Sequence, residues 1–85
     1  MQSFTYTIND ELGLHARPAG MLVKEVSKHK SVIMIDNGTK QVNAKKLMAV
    51  MSMGVKKGHT VTITAEGEDE VEAIAAMEEF FKTNL

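Results

Sequence analysis

The sequence predicts an α+β fold: an open-faced two-layer sandwich, a four-stranded antiparallel sheet with three helices on one face, in the order β-α-β-β-α-β-α. Three observations predict it. Apolar and polar residues alternate over positions 4–8 and 60–65, as in strands with one buried face. Ala19, Leu22, Val23 and Val26 follow the i, i+3, i+4, i+7 spacing of a helix with one apolar stripe. Every element thus has a single apolar side, and such elements cover one another in two layers. The 85 residues suffice for one core, so residues 1–85 are read as one domain.

The elements follow in chain order. Phe4, Tyr6 and Ile8 form one face of a first strand over 4–8, and a polar, glycine-containing loop follows to Leu14. A helix is expected over about 16–27, with Pro18 in its first turn, where a missing N–H costs nothing. Residues 32–35 form a second strand. Asn37-Gly38 predicts a tight hairpin in which both turn residues have positive φ, leading into a short strand over 40–43. A short helix over 46–53, with Leu47, Val50 and Met51 at helical spacing, ends at Gly54. The strand over 60–65 is closed by Gly67. Asp69, followed three residues later by Glu72, predicts an N-cap and capping box for a helix over 70–82 that buries Ala73, Ile74, Met77 and Phe81. The element string is that of a ferredoxin-like β-α-β-β-α-β unit plus one helix.

Composition excludes several classes. With no Cys there is no disulfide framework, thiolate metal site or cysteine nucleophile. Hydrophobic residues make up 44% and charged residues 25%, ordinary for a folded protein and unlike a disordered one. No apolar run approaches the roughly 20 residues that span a bilayer, and the first residues lack the basic and apolar regions of a signal peptide. A soluble cytoplasmic monomer is the expectation. The net charge of -1 hides an asymmetry. Residues 1–64 hold nine of the ten basic residues, with a cluster at Lys40, Lys45, Lys46, Lys56 and Lys57, while residues 65–85 hold seven of the eleven acids. Some of those acids suit the start of the last helix, whose dipole favours negative charge. The basic side suits an acidic or phosphate-bearing partner. A nucleic-acid partner is disfavoured, because the lysines lack interleaved aromatics and the pI is about 6.3.

No phosphate-binding glycine loop or nucleophile-elbow motif occurs. His29 and His59 read as solvent-facing polar residues, and three isolated histidines do not predict a metal site. His15 differs, because it stands at the junction of a glycine loop and a helix start. Such a start offers unpaired N–H groups and a partial positive charge, which bind phosphate. The chain's only Arg, Arg17, follows two residues later, with a guanidinium matched to phosphate oxygens. On these grounds His15 is either a phosphoryl acceptor or a plain cap at the helix start.

The segment Gly13-Leu14-His15-Ala16-Arg17-Pro18-Ala19 resembles the phosphorylation-site motif of the HPr family, the histidine-containing phosphocarriers of the bacterial phosphoenolpyruvate:sugar phosphotransferase system. The stretch from Val42 to Gly54 resembles the family's second characteristic segment. Length and element order match too, so the resemblance spans the chain. It implies that His15 takes a phosphoryl group on Nδ1 from phosphorylated Enzyme I and gives it to sugar-specific IIA domains, without a cofactor. The protein is then a relay and not a turnover enzyme. Arg17 would neutralise the phosphoryl charge, and Ala16, Arg17 and Pro18 would form the helix start that cradles it. Leu47, Met48 and Met51, with Met21, Lys45 and Gly54, would form the docking surface for those partners, a use suited to flexible methionines. Lys46 departs from the pattern. Many members carry a serine there that a kinase phosphorylates, and a lysine cannot serve. Ser52 is the nearest serine in that helix. Two other readings remain: a paralogue in the nitrogen-related branch, and a regulatory module that binds a transcription factor.

Overall fold

The computed structural model describes residues 1–85. The elements are β1 (Gln2–Thr7), α1 (Ala16–Val26), β2 (Val32–Asp36), β3 (Gln41–Asn43), α2 (Leu47–Ser52), β4 (Thr60–Glu66) and α3 (Glu70–Asn84). They give the expected α+β architecture. The sheet order is β1-β4-β2-β3 and every neighbouring pair is antiparallel. Both helical connections are therefore split: β4 lies between β1 and β2, and β2 lies between β3 and β4.

The register explains why one face is dry. Phe4 pairs with Ile63, Ile63 with Ile35, and Ile35 with Val42, so one apolar row crosses all four strands. One position along, the row is Thr5, Thr62, Asp36 and Gln41, on the open face. The helices cover the apolar side. Pro18, Ala19, Leu22 and Val26 of α1 are buried, as are Ala73, Met77, Phe80 and Phe81 of α3. Phe81 is the keystone of α3. Its ring meets Phe4, Tyr6 and Phe80 edge-on, with centroids 5.9, 5.7 and 6.0 Å away, a favourable aromatic geometry. Twenty buried residues form one contiguous core.

The structure corrects four local expectations. β1 begins two residues early, because pairing continues to Gln2 opposite Ala65. Ile8 lies past its end but is still buried, its N–H bonded to the His59 carbonyl at 2.9 Å. In the hairpin, no non-glycine residue has positive φ. Asn37 pairs instead with Lys40 (3.1 Å), and Gly38 and Thr39 form the loop. The Asn37 side-chain oxygen draws in the N–H groups of Thr39 and Lys40 at 3.1 and 2.8 Å, the local turn that asparagine favours. Asp69 occupies the N-cap position of α3 but makes no cap bond. Its carboxylate reaches the chain before β2, accepting the N–H groups of Lys30 and Ser31, each at 2.9 Å, and the buried Ser31 hydroxyl. Glu70, not Glu72, reaches back to the Gly67 N–H, at 3.2 Å. Finally, α3 runs to Asn84 and buries Phe80, while Ile74 is only half-buried.

The Asp69 clasp has a consequence for pH. The Ser31 hydroxyl first, then the Lys30 and Ser31 N–H groups, hold the Asp69 carboxyl well below the usual carboxylate range. A carboxyl depressed in the folded state stabilises the fold fully above its unfolded value, about 3.9, and loses that contribution progressively as pH falls from there toward its lower folded value. In urea titrations from pH 6 downward, the midpoint of the wild-type protein should fall more steeply below about pH 4 than that of Asp69→Asn. Parallel curves would show that the clasp contributes nothing.

Candidate functional site

The β1–α1 loop sets the site. Gly13 has a φ of +65°, a conformation open to glycine and strained for most other residues. Its Cα faces the backbone of Val55 and Lys56 so closely that an added Cβ would lie 2.2 Å from the Val55 oxygen. The next N–H, of Leu14, donates to that same oxygen at 2.9 Å, and the Leu14 side chain is buried. The loop is also latched by the end of α3, where the Leu85 oxygen accepts the N–H groups of Asn9 and Asp10 at 2.6 and 2.8 Å. His15 emerges from this seat half-buried, as the N-cap of α1 in extended conformation.

The start of α1 is left open. The His15 side chain makes no cap hydrogen bond, and its carbonyl accepts the Ala19 N–H at 2.9 Å. The N–H groups of Ala16 and Arg17 have no protein acceptor, and Pro18 has no N–H. The first turn therefore offers two free donors and the positive end of the helix dipole beside the ring. Arg17 is exposed and takes part in none of the chain's ion pairs. A shallow pocket of about 230 Å³ adjoins the ring, lined by Asp10, His15, Arg17, Pro18, Met21 and Asn84. A nucleophilic ring, a guanidinium and free amides on one open pocket can hold an anion such as a phosphoryl group.

The structure thus gathers His15, Ala16, Arg17, Pro18 and Met21. Sequence reasoning missed Asp10 and Asn84. Asp10 has a local signal, since an Asp that accepts the N–H two residues on (here Leu12, 2.8 Å) marks a turn. Asn84 has none, because only the packing of α3 brings it there. A patch of apolar side chains lies on α1 and α2, which pack against each other. Met21 is 43% exposed, Leu47 39%, Met48 77% and Met51 38%, too much for core filling. Val50 and Met53 of the same segment are buried. Lys45 and Lys46 are exposed beside the patch, and Gly54 ends α2 with a φ of +63°. Lys46 is the N-cap of α2 without a side-chain cap bond. Asn43 caps the preceding turn instead, accepting the Lys45 N–H at 2.9 Å. Ser52 donates to the Ala49 carbonyl at 2.7 Å and accepts from Lys40 Nζ at 3.0 Å.

The other histidines lie elsewhere. His59 is exposed, but its Nδ1 accepts the Lys56 N–H at 3.1 Å, which braces the loop behind Gly13. His29 corrects the surface expectation. Its side chain is only 14% exposed, with ring nitrogens 3.5 Å from Asp69 and 3.6 Å from Glu25. It belongs to the Asp69 clasp, which packing and not local sequence creates.

The family model described as "PTS HPr component phosphorylation site" matches residues 2–83. Among solved structures, HPr-C-His from Thermoanaerobacter tengcongensis is 43% identical and superimposes with a TM-score of 0.93, covering 98% of this chain and 93% of that one. The histidine-containing phosphocarrier protein of Mycoplasma is 46% identical, with a TM-score of 0.90, covering 93% and 90%. Crh, a catabolite repression protein of Bacillus subtilis with a swapped-domain dimer, is 34% identical, with a TM-score of 0.78, covering 100% and 98%.

Gly13→Ala tests the seat of the loop. The backbone overlap and the positive φ together should cost about 2–4 kcal/mol of unfolding free energy. Gly20→Ala in α1, where nothing lies within 4 Å of the added carbon, should instead stabilise by about 0.5–1 kcal/mol. Chemical denaturation measures both. Equal effects would remove the close approach at Gly13 as a constraint.

Proposed function

The chain belongs to the PTS HPr family of phosphocarriers, and on that premise we propose that His15 carries the phosphoryl group, received from phosphorylated Enzyme I and delivered to sugar-specific IIA domains. The observation that carries this reading is the open start of α1: a ring free of cap bonds beside two unpaired amides and an unpaired guanidinium. In the uptake step a P–N bond forms at Nδ1 of His15 as the donor's bond to the same phosphorus breaks. The departing electron pair stays with the donor. Delivery is the same exchange with the roles reversed. Such transfer depends mostly on positioning and electrostatics, so a rigid loop with few groups suffices. Arg17 offsets the charge of the phosphoryl oxygens, and the amides of Ala16 and Arg17 donate to them.

Docking is assigned to Met21, Leu47, Met48 and Met51, with Lys45 and Lys46 facing acidic partner rims and Gly54 closing the patch. Methionines repack to suit several partners, and a small interface releases each of them quickly. The chain shows no helix long and apolar enough to cross a membrane. On this reading the chain relays the phosphoryl group, and other proteins handle the sugar. A regulatory role is the second reading, favoured by the likeness to Crh over the full chain. Lys46 weighs against control by phosphorylation at that position, since an ammonium cannot accept the group.

Incubation with labelled phosphoenolpyruvate and Enzyme I should give one acid-labile phosphate per chain, absent in His15→Ala. Met48→Glu should slow charging at least about tenfold through lost docking, with an unchanged circular dichroism spectrum. An acid-stable phosphate, or none, would overturn the carrier reading. Unaltered charging of Met48→Glu would remove the patch from it.

A further inference from the structure

Asp10 lines the same pocket as His15 and Arg17. Three hydrogen bonds fix it there. Its N–H donates to the Leu85 oxygen at 2.8 Å, its carbonyl accepts the Gly13 N–H at 3.0 Å, and its carboxylate accepts the Leu12 N–H at 2.8 Å. The residue is half-buried and takes part in none of the chain's ion pairs. The pocket therefore holds one fixed anion and one free cation, and they do not neutralise each other by contact.

A phosphoryl group on a side chain carries about -1.5 to -2 charges near neutral pH. Placed on His15, it enters a pocket of only about 230 Å³ that a carboxylate already lines. Both groups line this one pocket, and charges closer than about one Debye length, about 8–10 Å at ordinary salt, are incompletely screened. The Leu12 N–H holds the carboxylate, and the two backbone bonds hold the residue that carries it. Arg17 acts in the opposite sense.

We propose that Asp10 sets the lability of the phosphorylated protein: its carboxylate raises the energy of the phosphohistidine, opposes Arg17, and so favours release of the group. This inference rests on the proposed role of His15. A carrier that held the phosphoryl group too well would load but not deliver, and a fixed opposing charge prevents that. The effect is clearest in hydrolysis. The P–N bond at His15 breaks and a P–O bond forms to water. The ring nitrogen keeps the electron pair and takes one water proton, and hydrogen phosphate leaves. The transition state is loose, with the P–N bond largely broken, so much of the repulsion is relieved there.

Asp10→Asn is the variant of choice, since an amide oxygen still accepts the Leu12 N–H while the charge is gone. The test charges wild-type, Asp10→Asn and Asp10→Glu proteins with potassium phosphoramidate, which needs no partner protein. The His15 phosphorus resonance, assigned by its absence in His15→Ala, is then followed at neutral pH. The half-life in Asp10→Asn should lengthen by about two- to fivefold at low salt, and the difference should shrink toward none at about 1 M salt. Asp10→Glu should stay close to wild type. Equal half-lives at low salt, a shorter one in Asp10→Asn, or a difference insensitive to salt would overturn the proposal. Failure of Enzyme I to charge the wild-type protein would remove the carrier reading instead, while the phosphoramidate comparison would still decide the role of Asp10.

Discussion

The seat of Gly13 against the Val55–Lys56 backbone is the contact on which the rest of the site depends. A glycine at positive φ lets two loops touch through their main chains, and the Leu14 N–H then locks onto the Val55 oxygen. That lock joins the loop before α1 to the loop before β4. The end of α3 adds a second latch through the Leu85 oxygen. His15 is presented by a frame tied at both sides, although it lies outside any strand. The pocket is shallow, and on the proposed function the groups that line it need not move before a phosphoryl group arrives.

On the proposed function, the work is divided between two kinds of surface. At the pocket, the free amides and the unpaired Arg17 would attract an anion and the fixed Asp10 carboxylate would oppose it. Beside the pocket, α1 and α2 expose flexible apolar side chains, with Lys45 and Lys46 exposed just before α2. The first surface calls for precision and the second for tolerance, and glycine-bounded loops and methionines supply these respectively. The acidic half of the chain is used elsewhere. Glu70 and Asp69 organise the start of α3, and Asp69 ties that start to Ser31 and His29 on the far side of the sheet connection.

The fold was legible because its signals are local and repeated. Alternation placed Phe4 and Ile63 on buried strand faces, helical spacing placed Leu22 and Val26, and the register added Ile35 and Val42 to the same row. His15, Arg17 and Pro18 could be read as a candidate site because they are neighbours in sequence, and the structure puts all three on one pocket. What was not legible is whatever depends on contacts between distant segments. Asp69 satisfies every local rule for an N-cap, yet buried Ser31 and the Lys30 N–H outcompete the helix for its carboxylate. His29 looks polar and exposed between two lysines, but packing slides it between Glu25 and Asp69. Asn84 reaches the pocket only because Phe81 fixes α3 across β1. Asn37 shows the limit of a turn rule, since its own side chain chose a different hydrogen-bonding pattern from the one its dipeptide suggests.

On the proposed function, the open first turn of α1 receives the phosphoryl group of His15. Proton–nitrogen correlation spectra before and after charging test it at single-residue level. The Ala16 and Arg17 amide protons should move downfield on phosphorylation, well beyond those of α3, as free donors acquire a charged acceptor. Unmoved Ala16 and Arg17 resonances in fully phosphorylated protein would contradict it.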